Sequence, residues 1–194
     1  MINNMKVAKC KWMGISPLLM NSNQTVNPFH PVSVQKKPLT SKRKKTEEDI
    51  LKLLDLDYEG SLYYDSDVGV YVPAICVEAT LRNGAKKIRK GSDVKSCVFV
   101  SPDFIELIYD GPSDLEGLLK DDRFKDVRPV VVQRASMLKC RPRFDKWEIN
   151  FDLTFDPKIF NDEDIELITD IAGRQIGLCD YRPRYGRFEA IISM

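Results

Sequence analysis

The chain has 194 residues, 43% of them hydrophobic and 30% charged, with a formal net charge of +1. That length and apolar content suit one folded domain carrying a sizeable insertion, and they exclude a disordered or fibrous chain. The first apolar stretch is broken by Lys6, Lys9, Lys11 and Pro17, and no run reaches the roughly 20 apolar residues of a membrane helix, so neither signal peptide nor membrane span is expected.

In chain order, residues 6–13 read as a first strand, and Gly14 and Pro17 force an irregular turn before Leu18, Leu19 and Met20. From Asn21 to Thr46 the sequence is polar, broken by Pro28, Pro31 and Pro38, and without periodicity, which predicts a long loop. A short helix over Glu47–Leu54 follows, capped by Thr46. Leu62–Tyr64 and Val70–Val72, joined through Asp65–Gly69, read as a hairpin. The spacing of Val77, Leu81, Ala85 and Ile88 predicts a helix over about 75–90 with a buried stripe. Its other side carries Arg82, Lys86, Lys87, Arg89 and Lys90, cations that oppose the macrodipole near the helix C-terminus at Gly91. Val94–Val100 is a strand, residues 110–126 are irregular and acidic, and Pro129–Leu138 resumes as a strand. Trp147, Ile149, Phe151, Leu153 and Phe155 alternate with polar residues and predict a half-buried strand. Asn161 caps a helix over Asp162–Ala172, and Arg187–Ile192 is the final strand.

Without its loops this is strand, helix, strand, strand, helix, strand: an α+β, ferredoxin-like antiparallel sheet with two helices packed on one face. The expectation is a single domain over 1–194 with inserted segments at about 21–72 and 110–128.

The five cysteines, Cys10, Cys76, Cys97, Cys140 and Cys179, are scattered and never closely paired, and His30 is the only histidine. A zinc knuckle needs ligands a few residues apart, so no metal or other cofactor is expected, and reduced thiols fit a cytoplasmic protein. No nucleophile–base arrangement, Walker loop or dinucleotide fingerprint is present. His30 lies in a proline-flanked loop and reads as a surface residue, with a ribonuclease base as the catalytic alternative.

Charge is polarised along the chain. Residues 36–45 hold Lys36, Lys37, Lys42, Arg43, Lys44 and Lys45 with no acid, a composition that suggests a mobile basic arm. Residues 134–146 hold Arg134, Lys139, Arg141, Arg143 and Lys146 against Asp145 alone; Lys139-Cys140-Arg141-Pro142-Arg143 reads as a stiff cationic connection between strands. The C-terminal run carries Arg174, Tyr181, Arg182, Arg184, Tyr185 and Arg187 between Gly173 and Phe188. Guanidinium groups pair with phosphates in bidentate fashion, and tyrosine faces stack on bases. Each patch also has a plain alternative: a solvated turn, or arginines paired with the chain's own acids in 47–67, 103–126 and 148–166.

The run Gly14-Ile15-Ser16-Pro17-Leu18-Leu19-Met20 after a first strand, then Arg141-Pro142-Arg143-Phe144, Trp147 and Gly177 through Phe188, resembles a family of phage and prophage proteins. These look like relatives of the RAMP superfamily, which includes the backbone subunits of CRISPR effector complexes. The resemblance implies a ferredoxin-like, RNA-recognition-type core with inserted loops. It also implies subunits that line up along single-stranded RNA and touch its phosphates, in the host cytoplasm if the chain is phage-encoded. Two departures stand out. Tyr181–Gly186 is arginine-rich where the superfamily often has a glycine-rich loop, and the outer face of 147–155 shows Glu148 and Asp152, which repel phosphate. Nucleic acid is therefore expected across the loops rather than that strand.

The sequence-level expectation is a non-enzymatic protein that binds single-stranded RNA in preference to DNA and assembles head-to-tail along the strand. Lys42, Arg43, Lys44, Lys45, Lys139, Arg141, Arg143, Arg174, Tyr181, Arg182, Arg184, Tyr185 and Arg187 would carry the contacts. The alternative is a phage protein-interaction module that inhibits a host defence or replication complex, its basic patches meeting an acidic protein surface.

Overall fold

The structure, a computed structural model, describes residues 5–132 and 135–194. It is mixed α+β, with a mostly antiparallel larger sheet. In chain order the elements are β1 (Lys6–Gly14), β2 (Leu18–Leu19), α1 (Pro31–Thr40), α2 (Glu47–Ser61), β3 (Tyr64–Asp65), β4 (Gly69–Pro73), α3 (Ala74–Lys86) and α4 (Gly91–Cys97). Then come β5 (Val98–Ser101), β6 (Phe104–Ile108), α5 (Leu115–Lys120), β7 (Lys125–Val132), β8 (Ala135–Phe144), β9 (Glu148–Phe155), α6 (Asp162–Ile171) and β10 (Phe188–Ser193). No helix among the described residues is long and apolar enough to cross a membrane.

The chain divides into two compact units. One comprises the chain up to Leu18, Asp65–Asp110 and everything from Asp145 on; the other comprises Leu19–Tyr64 and Gly111–Phe144.

In the first unit the strand order runs β10–β1–β9–β6–β4, and β5 pairs with β9 on the same side as β6. β1 is central, antiparallel to β10 (Trp12 opposite Ala190) and to β9 (Trp12 opposite Ile149). Period-2 alternation decides which face is covered: Ala8, Cys10, Trp12, Ile149, Phe151, Leu153 and Phe155 are all buried. Trp12 stacks on Phe188 at 3.8 Å and meets Phe151 edge-on at 5.0 Å, anchoring β10 to the middle of the sheet. Leu81 of α3, Ile165 and Ile168 of α6, Val98 and Leu153 line one interior gap too small for a water, so both helices cover the same face. The opposite face carries the ion pairs Lys9–Asp152 (3.3 Å) and Lys11–Glu148 (2.7 Å), the acids expected there now matched by lysines on β1.

The second unit is built on the β7–β8 hairpin, in register from Lys125 opposite Pro142 to Val132 opposite Ala135. α1 and α2 are held together by Val32, Leu39 and Leu56, with Leu53 at their margin. The capping box at the start of α2 is complete: Thr46 Oγ1 accepts from the Asp49 amide, and the Asp49 carboxylate accepts from the Thr46 amide.

Several elements differ from the sequence reading, each for a local reason. The expected loop 21–46 contains α1, because Pro31 sits at a first-turn position, where proline is favoured, and Val32 and Leu39 find an apolar partner in α2. The helix predicted to end at Leu54 continues to Ser61. The helix predicted over 75–90 stops at Lys86, and Arg89 takes a left-handed φ of 62° before α4 begins, so Val94 is helical rather than the start of a strand. The acidic segment 110–126 is not wholly irregular: Asp114 caps α5 by accepting from the Gly117 amide at 2.7 Å. The stretch Lys139–Arg143 lies inside β8 rather than connecting two strands.

Candidate nucleic-acid interface

The arginine-rich C-terminal loop belongs to the first unit. After α6 the helix widens into a π turn over Ala172–Ile176. The chain then passes through Gly177, Cys179, Tyr181 and Gly186 with φ of 81°, 61°, 54° and 70°. For Cys179 and Tyr181 such a backbone costs on the order of 1–2 kcal/mol each, so it persists only where its surroundings over-determine it. Gly186 has no substitute, because a Cβ there would come within 2.0 Å of the Leu178 carbonyl oxygen.

Hydrogen bonds fasten the loop at both ends. The Leu178 amide donates to the Gly186 carbonyl at 2.8 Å, and the Gly186 amide donates to the Pro17 carbonyl at 2.8 Å. The Arg187 amide donates to Ser16 Oγ at 2.9 Å, and the Arg187 carbonyl accepts from the Ile15 amide at 2.8 Å. Trp147 Nε1 donates to the Ser16 carbonyl at 2.9 Å, and Thr80 Oγ1 donates to the Gly177 carbonyl at 3.2 Å. Three of the segments that carried the family resemblance, Gly14–Pro17, Trp147 and Gly177–Arg187, thus meet in one hydrogen-bonded corner.

On this rigid base Arg182, Arg184 and Arg187 are exposed, and none forms an ion pair among the described residues. Arg182 Nη1 donates to Thr80 Oγ1 at 3.5 Å, a long contact that leaves the rest of its fork available. Tyr181 and Tyr185 meet edge-to-face, with ring centroids 6.4 Å apart. The hydrogen bond with Cys76, together with burial, pushes the Cys179 thiol well above its ordinary pKa, so it contributes no negative charge beneath the arginines. Arg174 is different: it pairs with Asp170 one turn back at 2.7 Å, which holds it against α6.

The other predicted patches lie in the second unit, and Lys36, Lys42, Lys139 and Arg143 are matched by acids there. Residues 36–45 are not a mobile arm but the end of α1 and the turn into α2. Lys36 and Lys139 (2.9 Å) both pair with Asp57, whose side chain is only 7% exposed, and Lys42 pairs with Asp49 at 2.6 Å. Lys45 Nζ donates to the Thr40 and Lys42 carbonyls. Arg43 and Lys44 are exposed without an ion pair among the described residues. Arg143 approaches Asp126 at 3.6 Å beside Arg128, and Arg141 is half-buried within β8. Arg134 lies outside the described residues.

His30, the catalytic alternative, is the N-cap of α1: its Nδ1 accepts from the Val32 amide at 3.3 Å. Among the described residues no three His, Cys, Asp or Glu side chains gather as metal ligands, and all five cysteines are free thiols. Thr80, which supports the loop from α3, carried no signal in the sequence, since a mid-helix threonine is ordinary until its partner is known. Compared with known proteins, the chain matches no family model and none of the curated proteins.

Proposed function

We propose that the chain is a single-stranded nucleic-acid-binding protein of phage type, with RNA preferred over DNA. Arg182, Arg184 and Arg187 take phosphates, and Tyr181 or Tyr185 stacks a base. The observation that carries this reading is the combination of three exposed guanidinium groups, free of ion pairs among the described residues, with a loop fastened by hydrogen bonds on both flanks. A pre-organised cationic surface loses little entropy when it meets a phosphate backbone.

The strand order supports the ferredoxin-like core that the RAMP resemblance implies. Taking β1, α3, β5, β9, α6 and β10 as the core, the order β10–β1–β9–β5 places the last, first, third and second strands side by side, as in that fold. Fold alone assigns no activity, so the function rests on the loop. In this reading the chain has no catalytic role, and His30 serves as a helix cap.

Fluorescence anisotropy with single-stranded RNA and DNA of one sequence tests the proposal. Changing Arg182, Arg184 and Arg187 together to glutamate should abolish binding to every sequence tried, because phosphate contacts carry little sequence information. Wild-type protein that binds no oligonucleotide at ~50 mM salt, where counterion release still favours binding, would leave the protein-interaction module as the better reading.

A further inference from the structure

We propose that the corner between α3 and α4 is a second anion site, shaped for a phosphate group. Arg82 and Lys86 of α3, Arg89 of the turn, and Gly91, Ser92 and Lys95 of α4 line an open depression of about 440 Å3. That is near the lower end of the roughly 300–1,000 Å3 of small-ligand sites, room for a phosphate or one nucleotide rather than a folded partner.

The charge around it is one-sided. None of Arg82, Lys86, Arg89 and Lys95 forms an ion pair among the described residues, and Lys86 Nζ reaches only the Asn83 side-chain oxygen, at 3.0 Å. Arg82 Nε is enclosed with no hydrogen-bond partner among the described residues. Three carboxylates lie close in sequence or space. Glu78, one turn before Arg82, accepts from the Val100 amide at 3.1 Å. Asp164 is taken by Lys90 at 2.6 Å. Glu78, which keeps its charge, and half-buried Asp93 of α4 thus set two carboxylates against four cations.

Opposition to the α3 macrodipole accounts for Lys86 in the last turn, but not for Arg82 in mid-helix or for Lys95, which belongs to the next helix. The turn is also firmly held: the Lys90 amide donates to the Ala85 carbonyl at 2.9 Å and the Arg89 amide to the Lys86 carbonyl at 3.2 Å. Cations converging from two helices and a fixed turn form a cradle for an oxyanion. The phosphate could be a terminal group or part of a nucleic-acid backbone.

The test uses the full chain and titration calorimetry with pyrophosphate, ionic strength being held constant with sodium chloride. Pyrophosphate should bind, and the exposed double change K86Q/K95Q should weaken it roughly tenfold or more, the scale of lost charge-assisted hydrogen bonds. Arg82→Gln should act in the same direction. The triple change at Arg182, Arg184 and Arg187 should leave pyrophosphate binding intact while removing oligonucleotide binding, which separates this site from the loop. Tighter binding of an oligonucleotide with a terminal phosphate than of its hydroxyl-ended twin would identify the terminal group as the source; equal binding, weakened by K86Q/K95Q, would identify the backbone. No pyrophosphate binding at matched ionic strength, or binding indifferent to K86Q/K95Q, would overturn the proposal.

Discussion

Trp147 donates its indole N–H to the Ser16 carbonyl at 2.9 Å, and the hydroxyl of the same serine accepts from the Arg187 amide at 2.9 Å. Through Ser16 a buried tryptophan thus sets the position of the arginine loop. Trp147→Phe keeps most of the ring but leaves the Ser16 carbonyl without its donor. The expected cost is about 1–3 kcal/mol, the penalty for a buried polar group left unsatisfied. Urea denaturation reads the loss, and hydrogen exchange should show faster opening at Gly186 and Arg187 than in β1 and β9. Uniform loosening of the whole unit would assign Trp147 to packing alone. The close approach of Gly14, where a Cβ would come within 2.1 Å of Trp147 Nε1, gives a second handle: Gly14→Ala must displace the indole and should loosen the same loop.

The salt dependence of binding gives a count of phosphate contacts. For single strands the slope of log K against log salt is roughly −0.7 per neutralised phosphate. Replacing Arg182, Arg184 and Arg187 with glutamine should therefore flatten the slope by about two, if each takes one phosphate. A variant that binds more weakly with an unchanged slope would place the phosphates elsewhere.

Much of the first unit was legible in the sequence because period and burial agreed there. Trp147 to Phe155 alternate cleanly, and Asn161 with Asp164 forms the capping box that starts α6. The second unit was less legible. Its α1 carries Pro38 near its end and owes its order to Val32 and Leu39 packing on Leu56, a tertiary contact that local propensity does not report. The arginine loop could be located by composition, yet composition could not tell Arg174, paired with Asp170, from Arg184, which is not. Nor could it show that the lysines of 36–45 answer Asp57 and Asp49, since those pairings span 21 and 7 residues.

Asp57 joins Lys36 of α1 to Lys139 of β8 and is nearly enclosed. Removing one partner of a buried ion pair strands the others, at a cost of about 3–5 kcal/mol. The lysines retain some exposure, so the lower end of that range is expected for Asp57→Ala. Thermal unfolding monitored by circular dichroism checks it. A change below about 0.5 kcal/mol, the level of an ordinary surface substitution, would show that water already screens the pair.

Stability should decline on both sides of neutrality. Hydrogen bonds from Lys42 to Asp49, from Lys90 to Asp164 and from Lys11 to Glu148 hold these carboxyls below their ordinary values of 3.8, 3.8 and 4.5. A carboxyl with a depressed folded pKa stabilises fully above its unfolded value and loses that contribution as pH falls through the folded one. The urea midpoint should therefore hold down to about pH 5 and then drop. Burial pushes the Cys10 and Cys140 thiols up from 9.0 to about 12. A raised thiol stabilises fully below the unfolded value, and the contribution fades as pH rises from 9.0 towards about 12. A midpoint flat across both windows would contradict these assignments.

Assembly along a strand is the remaining expectation, and the structure alters what it rests on. One contact of this kind that the charge blocks offer sets basic 36–45 of one copy on acidic 110–126 of the next. Yet Lys36 and Lys42 are matched by Asp57 and Asp49. Within the acidic segment, Glu116 pairs with Lys120, Asp121 with Arg123 and Asp122 with Lys125. Part of each block is thus neutralised inside the second unit, so a head-to-tail electrostatic contact has less charge to use than the sequence alone implies. Exposed pairs contribute about 1 kcal/mol or less and are screened by salt, which is too little to associate free protein. Light scattering should accordingly give a monomer mass at low and high salt alike. If the chain lines up on nucleic acid as its resemblance implies, the strand must organise it, and the mass bound should grow in steps with oligonucleotide length. One copy bound whatever the length would exclude assembly, whereas salt-sensitive oligomers without nucleic acid would restore the docking of 36–45 on 110–126.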